Sequence, residues 1–284
     1  MKTSTSKRLR WNVAIWLAAG LFMTSAAGMA AGPIMPDPKA EARHQPQVEE
    51  TANGIPLVNI TAPSSGGVSR NEYEMFNVPD KGAILNNSYT LSKTELAGYV
   101  PGNNNMAERP AKIIVNEVTG AGSTSMDGFL EVAGNRADVV IANPNGITVN
   151  GGGFINTGKA FLTTGKPVYD GEDHLQRFDI TGGDILIEGK GLGGKETGSL
   201  AILSRAVKIN AGIWAKDLHI TTGANSIDAK TLEASAIEGK GGHPAFALDT
   251  AAIGGMYAGR ITLVGTEKGL GVNNSGTWSA EDNL

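Results

Sequence analysis

Short runs of apolar residues recur along this chain, with glycine, asparagine and proline between them. The clearest case is Ala137-Asp-Val-Val-Ile-Ala-Asn-Pro-Asn-Gly-Ile-Thr-Val-Asn-Gly-Gly-Gly153. Residues 139–141 and 147–149 are β-branched or flanked by β-branched side chains, which suit a pleated surface and predict two strands. Between them Pro144 presets φ for a turn, Asn143 can bond backbone two residues on, and Asn145 and Gly146 tolerate positive φ. The segment reads as strand, tight turn, strand, and taken alone it leaves an ordinary hairpin open.

The same pattern continues on both sides. Residues 84–85 are followed by Asn86-Asn87-Ser88, 113–115 by Asn116 and 129–132 by Gly134-Asn135, each read as a strand and then a turn. A second series, Ile185/Ile187, Leu200/Ile202, Val207/Ile209, Leu218/Ile220 and Ile261/Leu263, mostly alternates apolar with polar. Short strands at regular spacing fit a sandwich, a barrel or a solenoid, and the period does not choose among them. Composition narrows the field: 39 glycines and only 6% aromatic residues suit small stacked rungs better than a sandwich core. The 40% of hydrophobic residues also excludes a disordered chain. Beyond the first 31 residues no helical period is sustained.

Several separated stretches carry a family resemblance in one consistent order. They are Ile114-Val-Asn-Glu-Val-Thr119, Gly128-Phe-Leu-Glu-Val-Ala133, residues 137–149 and Gly152-Gly-Phe-Ile-Asn-Thr157. Met256-Tyr257, Ile261-Thr-Leu-Val264 and Gly269-Leu-Gly-Val272 follow. From about Asn53 to the last residue the chain resembles the secretion domain of two-partner-secretion exoproteins, the filamentous haemagglutinins and contact-dependent growth-inhibition toxin proteins. The resemblance implies an all-β fold, a right-handed parallel β-helix with small extra-helical β elements. Residues 172–179 and 232–244 are more polar and match those excursions, a small antiparallel sheet among them.

The resemblance also implies a function. Such a domain targets a large exoprotein for secretion, is recognised by a cognate outer-membrane transporter with periplasmic receptor (POTRA) domains, and folds outside the cell to present a filamentous adhesin or toxin. The protein is then expected at the surface of a Gram-negative bacterium, reached through the periplasm. Parts of the exoprotein outside this chain would meet a host or neighbouring-cell surface. Two Asn-rich turns are the hallmark of the family. One is intact as Asn143-Pro144-Asn145-Gly146; the other, normally Asn-Pro-Asn-Leu, aligns with Asn103-Asn104-Asn105-Met106. Methionine fills a leucine-shaped site at modest cost. Losing the proline at Asn104 frees the unfolded chain, an effect of roughly 0.4–1 kcal/mol, so the turn is expected to survive.

The chain starts with a secretory signal peptide, expected over residues 1–31 and addressed to the Sec machinery. Lys2, Lys7, Arg8 and Arg10 form its basic start, residues 13–23 an apolar core too short to span a bilayer, and residues 25–31 the small cleavage region. Residues 32–52, with Pro33, Pro36, Pro38 and Pro46, read as a flexible leader before the domain at 53–284. The closing residues 276–284 show no polar cap, so the domain is read as the N-terminal part of a longer exoprotein. The net charge of −4 and the lack of a basic stripe argue against a nucleic-acid partner. Cysteine is absent, which agrees with threading an unfolded chain through a pore from an oxidising compartment.

Other apparent motifs weigh less. Gly189-Lys-Gly-Leu-Gly-Gly194 matches a dinucleotide pattern, but the mechanism needs a helix to open there, and Lys195-Glu-Thr-Gly-Ser199 runs into another strand. As a phosphate loop it has Glu196 where Ser or Thr belongs, and residues 153–159 fail likewise at Ala160. His44, His174, His219 and His243 are isolated, without metal-ligand spacing, and are expected in solvent or loops. No serine sits in a nucleophile elbow. No cofactor, metal or catalytic residue is therefore expected. One enzyme reading stays open as the alternative: a surface β-helix acting on acidic polysaccharide, with Glu172, Asp173, Asp179 and Asp184 as candidate acids. A third possibility is self-association or cell adhesion through an open rung edge.

Overall fold

The computed structural model describes residues 32–107 and 109–283. The expected signal peptide lies outside these residues. The chain winds as a parallel β-helix with three faces per turn, visited in a fixed order. The first face stacks Pro56–Asn59, Ala83–Asn87, Phe129–Gly134, Gly152–Ile155 and Leu192–Gly194. The second stacks Val68–Phe76, Ile113–Val118, Ala137–Ala142, Thr157–Thr163 and Ser199–Ser204. Thr124–Met126, Ile147–Val149, Asp184–Ile187, Ala206–Ile209, Phe246–Thr250 and Gly271–Asn274 make the third. The long strands Gly212–Thr222 and Gly255–Gly265 run across both of the first two faces and fuse them into one sheet.

Register explains how so few large side chains fill the interior. On the second face Ile114, Val139, Ala160, Leu200, Leu218 and Ile261 are successive partners and form one buried column. Met126, Val149, Ile187 and Ile209 do the same on the third. Each residue packs on its counterparts one rung above and below, so short aliphatic side chains suffice.

The unbroken apolar runs have a second cause. Outward-facing Val115, Val140, Phe161 and Ala201 are buried as well, beneath Phe178, Ile180 and Ile227. Those three belong to a four-stranded antiparallel sheet, Lys166–Tyr169, Leu175–Ile180, Asn225–Asp228 and Ala234–Ala236, which leaves the helix between the second and third faces. A strand buried on both sides reads as a continuous apolar run. On the first face the hairpin of Ser92–Thr94 and Gly98–Val100 covers Ile84 and Ala133 with Val100.

The flexible leader expected over residues 32–52 is instead ordered. Ile34–Pro36 pairs antiparallel with Val68–Phe76, and Gln47–Glu50 pairs antiparallel with Pro56–Asn59. These two strands cover the open edges of the first rung on both faces, and edge strands tolerate the prolines that suggested disorder. The 3₁₀ turn Ala42–His44 between them holds His44 in a connecting segment, as expected, but buries it away from solvent.

His44 is buried because it meets carboxylates from two other segments. Its Nδ1 lies 3.1 Å from Glu72 Oε1 and its Nε2 3.6 Å from Asp173 Oδ2. Arg43 bonds Asp173 at 2.6 Å, and Arg70 bonds Glu72 at 2.8 Å while lying 4.3 Å over the Tyr169 ring. Glu117, the register partner of Glu72, sits 3.5 Å from Arg70 and is almost fully enclosed. Burial pushes its carboxyl from 4.5 up to about 7, with Arg70 opposing and Glu72 adding to the rise. A raised carboxyl favours the fold while protonated, so this contribution is complete below pH 4.5 and fades as pH rises through about 7. Glu117→Gln should remove a stability decline of up to roughly 3 kcal/mol across that window. Urea unfolding of both proteins at intervals from pH 4.5 to 8 checks it; equal slopes would show that Glu117 is not responsible.

Candidate functional site

Asn143-Pro144-Asn145-Gly146 links Ala137–Ala142 on the second face to Ile147–Val149 on the third. The two strands lie in different sheets and do not pair, so the segment is a corner and not a hairpin. Asn143 is fully buried, and its Oδ1 accepts the Asn145 N–H at 2.9 Å. Its Nδ2 donates to the Gly122 carbonyl at 2.9 Å and to Thr124 Oγ1 at 3.0 Å, both one rung away. Asn145 adds a bond from Nδ2 to the Gly120 carbonyl at 2.8 Å. Gly146 closes the turn on the Asn143 carbonyl at 3.1 Å, with φ of 111°, a conformation that favours glycine. Pro144 and Asn145 face solvent.

Asn103-Asn104-Asn105-Met106 repeats this scheme one rung earlier, at the passage from the first face to the second. Asn103 is buried; its Oδ1 accepts the Asn105 N–H at 2.9 Å, and its Nδ2 donates to the Ile60 and Asn86 carbonyls, both at 2.9 Å. Asn105 Nδ2 reaches the Ile60 carbonyl at 3.1 Å. Without the proline, Asn104–Met106 forms a 3₁₀ turn, and Met106 is buried in the central core. The two sequence-predicted quartets therefore share one geometry but occupy different corners. In each, the first asparagine is an internal brace and the second position is exposed.

Asn103 has φ −84° and ψ 116°, an extended conformation suited to the residue before proline. Asn104 opens the 3₁₀ turn, where a missing N–H costs little. Asn104→Pro is therefore expected to stabilise the protein by about 0.4–1 kcal/mol, read as a rise in thermal midpoint.

Sequence reading missed the polar residues that work with these corners. Asn86, Asn87 and Asn116, read as turns, are fully buried within strands. Asn86 Nδ2 bonds its register partner Asn59 at 2.8 Å and the Pro101 carbonyl at 3.0 Å. Asn87 braces Ala111 and Asn135, and Asn116 accepts the Tyr73 hydroxyl at 3.0 Å and donates to the Val140 carbonyl at 3.1 Å. The Asn86-Asn87 doublet beside an apolar pair was the only local signal.

The candidate acids do not converge. Asp173 joins the His44 and Arg70 cluster, Glu172 is exposed, Asp179 bonds Arg177 and Ser226, and Asp184 pairs with Lys208. The glycine-rich run at 189–194 is a short turn over 189–191 that leads straight into the strand Leu192–Gly194, so the helix a dinucleotide would need does not open there. Among the described residues no helix is long and apolar enough to cross a membrane.

Comparison with known proteins agrees with this geometry. A family model described as the TPS secretion domain matches residues 33–284. The chain is 47% identical over 245 residues to a toxin CdiA of Yersinia pestis, covering 86% of this chain and 7% of that protein. It is 47% identical over 229 residues to a 16S rRNA endonuclease CdiA of Enterobacter cloacae subsp. cloacae, covering 80% of this chain and 7% of that one. The crystal structure of a filamentous hemagglutinin secretion domain is similar with a TM-score of 0.80 at 34% identity, covering 88% of this chain and 84% of that chain. The chain thus spans about 7% of the length of the two CdiA proteins. None of these similarities supports the polysaccharide-enzyme reading.

Proposed function

Since this chain belongs to the TPS secretion domain family, we propose that its two asparagine corners serve export by holding the first rungs in a shape that a cognate outer-membrane transporter accepts. Receptor (POTRA) domains of that transporter would engage the domain in the periplasm, after delivery by the Sec machinery. The rungs would then stack outside the cell, in front of an adhesin or toxin. A folded domain is worth about 5–15 kcal/mol, enough to resist back-sliding through a pore without a nucleotide.

One observation carries this reading: the same side-chain brace, Asn103 with Asn105 and Asn143 with Asn145, ties two successive turns of the helix to the backbone of the preceding rung. Residues that only contacted a transporter would not need burial. The test is secretion of the chain in cells making the transporter, with the stability of each purified variant measured in parallel. If the corners act through rung geometry, Asn143→Ala loses secretion together with stability, while the exposed Pro144→Ala and Asn145→Ala keep most of both. Abolished secretion in the two exposed variants at normal stability would instead assign the motif to direct contact with the transporter.

A further inference from the structure

The hairpin of Ser92–Thr94 and Gly98–Val100 buries one side and displays the other. Val100 points inwards onto Ile84 and Ala133, and Thr94 is buried with it. Register pairs Lys93 with Tyr99, so both side chains stand on the outward side. Leu91, two residues before Lys93, continues that side as the diagonal neighbour of Tyr99, within reach of an aromatic ring. Leu91 is 68% and Tyr99 69% exposed, and Tyr89 in the preceding bend is 48% exposed. A hairpin that only covered the rungs would need apolar side chains on its inner side alone.

The outward side is held firmly. The enclosed carboxylate of Glu131, on the rung beneath, accepts the Glu95 and Leu96 N–H groups of the hairpin turn at 2.7 and 2.9 Å. At the base the Asn103 N–H donates to the Ser88 carbonyl at 2.6 Å and Asn103 Nδ2 to the Asn86 carbonyl at 2.9 Å. The hairpin and the first asparagine corner therefore form one excursion, residues 88–106. Beside it runs a groove of about 970 Å³, with Leu91 and Lys93 on one wall and Arg136, Ile155 and Glu196 on the other.

From this arrangement we infer that the outward side of the hairpin is the docking surface for the cognate outer-membrane transporter. Leu91, Tyr99 and Tyr89 cover an apolar patch on its periplasmic receptor domains, and Lys93 meets a carboxylate there. The inference rests on the secretion role proposed above and says where the contact is made. Adjoining exposed apolar side chains with a polar rim mark a partner surface, and aromatic anchors carry much of the energy of such contacts. The shared excursion also gives the buried brace its part in export, because Asn103 fixes the base from which the hairpin projects. A membrane surface fits less well: the groove carries Glu95 and Glu196, and the chain has a net charge of −4, which anionic headgroups repel. A second copy docked face to face would bring two Lys93 charges together.

The test is binding of the purified chain to the purified transporter in detergent, by surface plasmon resonance, alongside secretion in cells. Leu91→Ser and Tyr99→Ser should each weaken binding about tenfold and lower secretion, with the thermal midpoint unchanged because both side chains are exposed. Lys93→Glu should act mainly by slowing association. Wild-type affinity in both Leu91→Ser and Tyr99→Ser overturns the inference and leaves the transporter bound through another surface. No binding by the wild-type chain overturns the inference together with the transporter reading on which it rests. Concentration-dependent sedimentation that Tyr99→Ser abolishes, with transporter binding kept, overturns it as well and assigns the hairpin to a second copy.

Discussion

Asn143→Ala is expected to destabilise the protein by about 2–4 kcal/mol. The enclosed side chain makes four hydrogen bonds, accepting from the Asn145 N–H and Nδ2 and donating to the Gly122 carbonyl and Thr124 Oγ1. Each is worth roughly 1 kcal/mol net, and partners left enclosed without water cost more than that. Asn145→Ala removes mainly the outward bond to Gly120 at 2.8 Å, at an exposed position, and should cost under about 1 kcal/mol. Urea unfolding of the two variants gives the comparison directly. Equal costs would mean that burial of Asn143 is not what stiffens the corner, and the geometric account of secretion would fail with it.

The second large effect is expected at the other end of the helix. Arg205, buried at the corner after Ser199–Ser204, forms a two-pronged pair with Glu267, Nε to Oε2 at 3.0 Å and Nη2 to Oε1 at 2.7 Å. His243 Nδ1 lies 2.8 Å from the same carboxylate, and the Ala224 N–H donates to it at 3.2 Å. Arg205 also bonds the Lys240 carbonyl at 2.7 Å, so one guanidinium ties two corners to the loop beyond the antiparallel sheet. Glu267→Ala leaves that charge enclosed and unpaired, and should cost roughly 3–5 kcal/mol. Replacing both partners, as in Arg205→Met with Glu267→Leu, should recover most of the loss, because the desolvation penalty disappears with the charges. A double variant as unstable as Glu267→Ala would rule out the ion pair as the cause.

The same pair sets an acid limit. The Arg205 guanidinium holds the Glu267 carboxyl down at about 2, against 4.5 in the unfolded chain, with burial opposing and His243 assisting. A lowered carboxyl stabilises the fold while ionised. Its contribution is present above pH 4.5 and is lost as pH falls towards 2. Glu117 works in the opposite sense over the window from 4.5 to about 7. The two groups together predict greatest stability near mildly acidic pH.

Much of the architecture was legible along the chain. The paired apolar positions from Ile185/Ile187 to Leu218/Ile220 are strands with those residues buried, since alternation follows from the pleat alone. The corner at Asn143 was legible because its turn chemistry acts within four residues. The leader was misread, since prolines at 33, 36 and 46 signal disorder only where no sheet edge waits for the segment. Asn86 and Asn116 were misread for a related reason: an asparagine after an apolar run marks a turn in isolation, whereas these two enter strands because neighbouring rungs supply their partners.

Local chemistry, then, determined most of the strands and the corner at Asn143, because β-branching, proline and asparagine bias the backbone within a few residues. Stacking decided which polar groups are buried and what they hold. His44 meets Asp173, Arg205 meets Glu267 and Trp214 lies beside Tyr257 only after the rungs are in register. Enclosing a polar or charged group is tolerable only when its partner arrives with it, and that arrival depends on the coiling of the whole chain.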